Sequence, residues 1–234
     1  MEPTLEIFAA QLIVVGSFNP PIFSPEWLKS HGLIGSDDCD AAIQNDSYAI
    51  TPEIARFETD WFSLQVVQNQ FALVSKGAVT PQLKDLLIGI FTIIDQTPVS
   101  AAGLNYIGQY KIPSRDAYHR IGDILAPKTI WAKFYSAENN ESLGLAELTI
   151  QVDSGIRGNE VRATERVKKI NLSVSPFVPH GVQMKFNDHN PIIVDVKNRK
   201  NSAELLIDLV NNHWESSMEE SKKVFIGVLK EAMA

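Results

Sequence analysis

Two clusters in this sequence hold residue types that do chemistry at the spacing chemistry needs. In Arg115-Asp116-Ala117-Tyr118-His119-Arg120-Ile121-Gly122-Asp123, a helix places His119 and Asp123 one turn apart, and likewise Asp116 and Arg120. An imidazole held by a carboxylate is the start of general-base machinery. The second cluster is Asn187-Asp188-His189-Asn190, with His180 nearby, whose nitrogen and oxygen donors suit a metal if separate strands bring them together. Each cluster also has a plainer use. Ion pairs along an exposed helix imitate catalytic pairs, and Asn-Asp runs turn a chain between strands by bonding their own backbone. No G-x-S-x-G motif places a nucleophile, and neither G-x-x-x-x-G-K nor G-x-G-x-x-G is present to cradle a phosphate. The plainer uses are preferred. No catalytic residue, metal or cofactor is therefore assigned, and His119, Asp123, Asp188 and His189 stand as candidates.

A third pattern suits binding. Arg157, Arg162, Arg166, Lys168 and Lys169 outnumber Glu160 and Glu165 along one segment, and Arg162, Arg166 and Lys168 fall on one strand face. Such a stripe can meet nucleic acid or an acidic protein. It lacks the interleaved aromatics that single-strand binding uses for stacking, and charge protecting a sheet edge explains it equally well. The acidic group Asp37, Asp38, Asp40 and Asp46 lacks the alternating ligands, central Gly and late Glu of a calcium loop, so it reads as a solvated loop.

Size and composition set the frame. The chain has 234 residues, 44% of them hydrophobic, enough for one large domain or two small lobes. Its formal charge of −7 argues against general binding to a phosphate backbone. Cys39 is the sole cysteine, which excludes an intrachain disulfide framework and points to a reducing, cytoplasmic home. Met1-Glu2-Pro3 lacks the basic start of a signal peptide, and apolar runs such as Leu86–Phe91 are far short of the ~20 residues that span a bilayer.

The elements that must position these residues are clearest between Trp61 and Ile112. Phe62, Leu64 and Val66 alternate with polar residues, Asn69-Gln70 turns the chain, and Phe71, Leu73 and Ser75 return it. Thr80-Pro81 opens a helix whose Leu83, Leu86, Leu87, Ile90, Phe91 and Ile94 share one face. A long strand over Val99–Ile112 follows, with Gly103 and Gly108 suggesting bulges or a close approach. Upstream, residues 5–18 read as a strand, Ser24-Pro25 as the start of a short helix ending at Gly32, and Tyr48–Asp60 as extended chain broken at Pro52. Downstream, Ser114 caps a helix with Tyr118, Ile121, Ile124 and Leu125 on one face, and a further helical piece carries Ile130, Trp131 and Phe134. Strands follow over 145–152 and 161–174, with a phase shift at Lys168-Lys169 that signals a bulge. Another runs from Val182 to Phe186, turns at Asn187–Asn190 and returns over Ile192–Val196. Ser202 then caps a helix roughly 45 Å long, with length over for a partner.

The expected fold is α+β, a largely antiparallel sheet covered by long amphipathic helices. Both halves read as strands followed by a capped helix, which predicts two similar lobes, 1–135 and 143–234, joined through 136–142 or merged into one domain. The pieces Leu64–Val66, Asn69–Phe71, Leu83–Asp95, Gly103–Tyr106, His119–Lys128, Asn187–His189 and Leu205–Phe225 together resemble a sporadically distributed bacterial family of about this length. That resemblance implies a two-part α+β fold and brings no established activity. The functional expectation is a non-enzymatic cytoplasmic protein that acts by binding, as an assembly or accessory subunit. It meets a protein partner or a second copy through Trp214, Met218 and Phe225 of the last helix, or through a strand edge. The alternatives are a hydrolase or nuclease-like enzyme built on the His/Asp clusters and nucleic-acid binding through 157–169.

Overall fold

The structure, a computed structural model, describes residues 2–135, 143–153, 166–194 and 200–234. Nine strands are described: β1 (Thr4–Gly16), β2 (Ala49–Ile50), β3 (Ile54–Glu58), β4 (Phe62–Val67), β5 (Gln70–Ser75), β6 (Val99–Lys111), β7 (Glu147–Val152), β8 (Val167–Val174) and β9 (Gly181–Pro191). They form one antiparallel sheet in the order β2-β3-β4-β5-β1-β6-β9-β8-β7. The helices are α1 (Pro25–Ser30), α2 (Ser36–Gln44), α3 (Pro81–Ile93), α4 (Arg115–Leu125) and α5 (Ser202–Met233). The fold is mixed α+β. No helix among the described residues is long and apolar enough to cross a membrane.

The chain runs through one succession twice. A long strand, β1, is followed by helix α1–α2, the meander β2 to β5 and helix α3; then β6 is followed by α4, the meander β7 to β9 and α5. The two opening strands lie side by side at the centre of the sheet, and each succession fans outward from there. The second succession starts at Val99, so the span 1–135 holds one full round and the first strand and helix of the next. The segment 136–142, read from sequence as a boundary, lies outside the described residues.

Register decides which side chains share a face, because residues directly opposite in neighbouring strands point the same way. The Tyr106 hydroxyl donates to the Trp214 carbonyl at 2.8 Å, which puts Tyr106 on the side of α5. Ala10 and Phe186 lie opposite Tyr106, as Leu12 and Asp188 lie opposite Leu104. On this side Phe71 meets Phe91 of α3 at 5.4 Å between ring centroids and Phe23 at 5.7 Å, with Trp27 of α1 against Phe23. Tyr110 meets Phe225 edge-on, and α2 packs beside α1 and β3. The core is the single layer between these helices and the sheet.

Local chemistry explains the clearest elements. Val67 pairs with Gln70 across the two-residue turn Gln68-Asn69, one residue earlier than the Asn69-Gln70 read from sequence, and the alternation of β4 and β5 buries one face. Pro81 opens α3 after Thr80, and Leu83, Leu86, Leu87, Ile90 and Phe91 are buried. Ser24 and Ser114 cap α1 and α4 by accepting from Trp27 N and Ala117 N. Pro52 sits in the turn between the two-residue edge strand β2 and β3.

Several expectations are corrected. Asp37, Asp38 and Asp40 are helical in α2 rather than in a loop. Acidic side chains suit the positive N-terminal end of a helix, and Asp38 accepts from the Trp61 indole at 3.0 Å. Asn187–Asn190 is not a turn but the continuation of β9, paired throughout with β6 and as far as His189 with β8, and no strand is described after Pro191. No register shift occurs at Lys168-Lys169, since β8 pairs evenly with both neighbours from Lys168 onward. Nor does one occur at Gly103 or Gly108; the shifts in β1–β6 fall at the two ends of β1. Gly108 instead permits a close approach, because a Cβ there would lie 3.1 Å from the Phe225 ring. The cap of α5 is Asn201, in a reciprocal box with Glu204, while the Ser202 hydroxyl accepts from Val99 N. Ile124 is exposed rather than packed.

Candidate functional site

The first sequence candidate comes apart in three dimensions. His119 and Asp123 do share α4, but each has another partner. Nε of Arg115 donates to Nε2 of His119 at 3.2 Å, so this nitrogen acts as an acceptor, and the Asp123 carboxylate is paired with Lys128. Arg120 donates to the carbonyls of Met233 and Ala234, fastening α4 to the end of α5. Arg115, His119 and Lys128 line one cleft together, and Asp123 stays outside it.

The second candidate is divided by the pleat. Asp188 and His189 are neighbours in a strand, so they face opposite sides of the sheet. Asp188 faces the helices and is fully buried. Its carboxylate accepts from Nε of Arg166 at 2.7 Å, from a second Arg166 nitrogen, and from the Ser217 hydroxyl of α5 at 2.6 Å. Asn190 adds a bond to the Asp188 carbonyl. Burial pushes this carboxyl group upward. Hydrogen bonds from Arg166 and Ser217 and the charges of Arg166 and Lys168 outweigh burial and hold it below the ordinary aspartate value. Burial and the neighbouring Asp188 charge also push the Tyr106 phenol up. With its oxygens occupied and no solvent access, Asp188 clamps β8, β9 and α5 together. His180 is at the far end of β9, in the left-handed conformation at φ 53° with its ring against Tyr118. No group of His, Cys, Asp and Glu among the described residues has the convergence to hold a metal ion.

Two members of the basic stripe are engaged within the molecule. Arg166 is bound to Asp188, and Lys168 reaches Glu220 of α5 at 2.6 Å. Lys169 points the other way, and Arg157 and Arg162 lie outside the described residues. The helix positions read as a partner interface are also occupied. Trp214 and Phe225 are 3% and 0% exposed, packed on Tyr106 and Tyr110, while Met218 is part-buried against the same core. Burial recurs along α5 from Ala203 to Ala232, so no length is left over.

What the sequence did not single out is the opposite face of the sheet. The named helix contacts all fall on the Tyr106 side, and no described helix covers the other. In a one-sided antiparallel sheet the free face is normally polar. Here β1 places Ile7, Ala9, Ile13 and Val15 on it, with Gln11 alone between them, and β6 adds Ile107. Three amides cross the middle side by side, Gln11, Asn105 and Asn187. Beside them Gln109 donates to Gln183 at 2.6 Å, and Gln183 to Ser173. The buried amide oxygens of Asn105 and Gln109 accept no hydrogen bond. Toward β3 the face dips into a groove of about 270 Å³ between Gln11, Ile13, Arg56, Glu58, Gln65 and Ala72. Sequence could not mark this face, because in β1 both phases are largely apolar, Ile7, Ala9, Ile13 and Val15 in one and Phe8, Ala10, Leu12 and Val14 in the other.

No protein-family model matches this chain, and no curated protein does.

Proposed function

We propose that this chain is a non-enzymatic binding protein, an assembly or accessory subunit of the cytoplasm, that receives a protein partner on the face of its sheet that no described helix covers. The observation that carries this reading is the apolar row Ile7, Ala9, Ile13 and Val15 beside Ile107 on a face that no described helix covers. Grouped apolar side chains rimmed by amides are the composition of an interaction surface. A general-base mechanism, by contrast, needs a free imidazole and carboxylate at one accessible point; Arg115 and Lys128 engage His119 and Asp123, and Asp188 is buried on the face opposite His189. We further propose membership in the bacterial family that the sequence resembles, which adds no activity to the reading.

The test is purification from native cells followed by cross-linking of whatever complex is recovered. Cross-links should fall on the β1–β6 open face, and Ile13→Glu with Ile107→Glu should release the partner while the thermal midpoint holds. A complex that survives both substitutions, or cross-links confined to the helix side, overturns the placement. For the nucleic-acid alternative, affinity should fall steeply with salt; a flat response disposes of it.

A further inference from the structure

The cleft that gathers Arg115, His119 and Lys128 lies on the helix side, away from the proposed protein-binding face, and has its own chemistry. It measures about 420 Å³, within the range of small-molecule sites. One wall is α4, contributing Tyr118, Ile121 and Gly122; the other is the sheet, contributing Leu172 and Val182, with Leu145 alongside. The wall is thus mainly aliphatic, and the polar groups stand together at its rim. Among the described residues their charges do not cancel. Lys128 is neutralised by Asp123, but the one hydrogen bond the Arg115 side chain makes among the described residues goes from Nε to a His119 nitrogen that accepts it, leaving the guanidinium fork without a carboxylate. Arg115 is also the first residue of α4, whose capped N-terminal end carries positive potential.

We propose that this cleft binds a small amphipathic anion, an apolar chain or ring bearing one carboxylate or phosphate head. The head is taken by the Arg115 fork in the two-point geometry that guanidinium offers to such groups, and the tail lies on Ile121, Leu145, Leu172 and Val182. Gly122 and Leu145 both line the cleft. A Cβ on Gly122 would stand 3.5 Å from the Leu145 Cβ, an ordinary contact, so a side chain there is admitted by the backbone and takes up room between α4 and Leu145.

The experiment titrates the full chain with octanoate and octyl phosphate, with octylamine and acetate as controls, by calorimetry and by amide chemical shifts. At least one octyl anion should bind, with shifts centred on Gly122, Leu145 and Leu172, while octylamine and acetate do not. Arg115→Gln should weaken binding about tenfold or more, the loss of one charge-assisted pair. Gly122→Met should abolish it with the thermal midpoint unchanged or raised, since glycine inside a helix is replaced by a better helix former. Equal binding of octylamine, indifference to Arg115→Gln, or no binding of either anion at millimolar concentration overturns the proposal.

Discussion

Asp188 and its partners show how a residue that looks like chemistry becomes structure. A charge buried without partners costs several kcal/mol, and removing one member of a buried pair leaves that cost exposed. Arg166→Ala should therefore destabilise the protein by about 3–5 kcal/mol, read from urea unfolding; a loss below about 1 kcal/mol would mean that the pair behaves like a surface ion pair. The carboxyl is held below its unfolded value of 3.8, so its contribution is present in full above that value and disappears as pH falls through the lower folded value. Stability measured from pH 5 downward should fall less steeply in Asp188→Asn than in the native protein. Parallel curves would show that other carboxylates govern acid unfolding. Sequence could not reveal this role. Asp188 looks like a turn former because its neighbours are polar, and the groups that satisfy it, Arg166 and Ser217, lie far from it in the chain.

The elements differ in how plainly the sequence announced them. The β4–β5 hairpin and α3 were legible because a strict alternation, a two-residue turn and a proline start are local signals. β9 was cut short and α2 was missed because their evidence is non-local: one passes through polar residues paired on both sides, the other packs mainly through Cys39 and Ala42. The start of α5 can be tested alone. Asn201→Ala removes the acceptor for Glu204 N and should cost about 0.5–2 kcal/mol, with faster amide exchange confined to the first turn. Uniform exchange along α5 would show that packing, not the cap, holds that end. Where β1 leaves the sheet, a Cβ on Gly16 would stand 2.3 Å from the Pro98 carbonyl oxygen, which belongs to backbone and cannot swing away. Gly16→Ala should lower stability by about 1–3 kcal/mol through this overpacking. Gly108→Ala meets only ring atoms and should be milder; the reverse order in denaturant midpoints would contradict the rigid-neighbour explanation.

At the scale of the whole molecule, the candidate site was legible only in fragments. The repeated strand–helix–meander–helix order could be sensed from the two long capped helices, but not that both rounds share one sheet through β1 and β6. That joining also bears on how the chain is made. β1 leaves the ribosome before the other strands of this sheet yet needs a partner on each side, and the second, β6, is synthesised only after β5 and α3. Until then the first round presents a thirteen-residue strand with an unpaired edge and an apolar open face. Unpaired edges of this kind recruit other strands. Another nascent chain at the same stage offers the same strand, so crowded synthesis on one message opens β1 to pairing between chains before the native β1–β6 pairing can form. Yield of the folded protein should then depend on how quickly residues 99–111 follow residues 1–98, and slowing translation just before Val99 should raise the aggregated fraction.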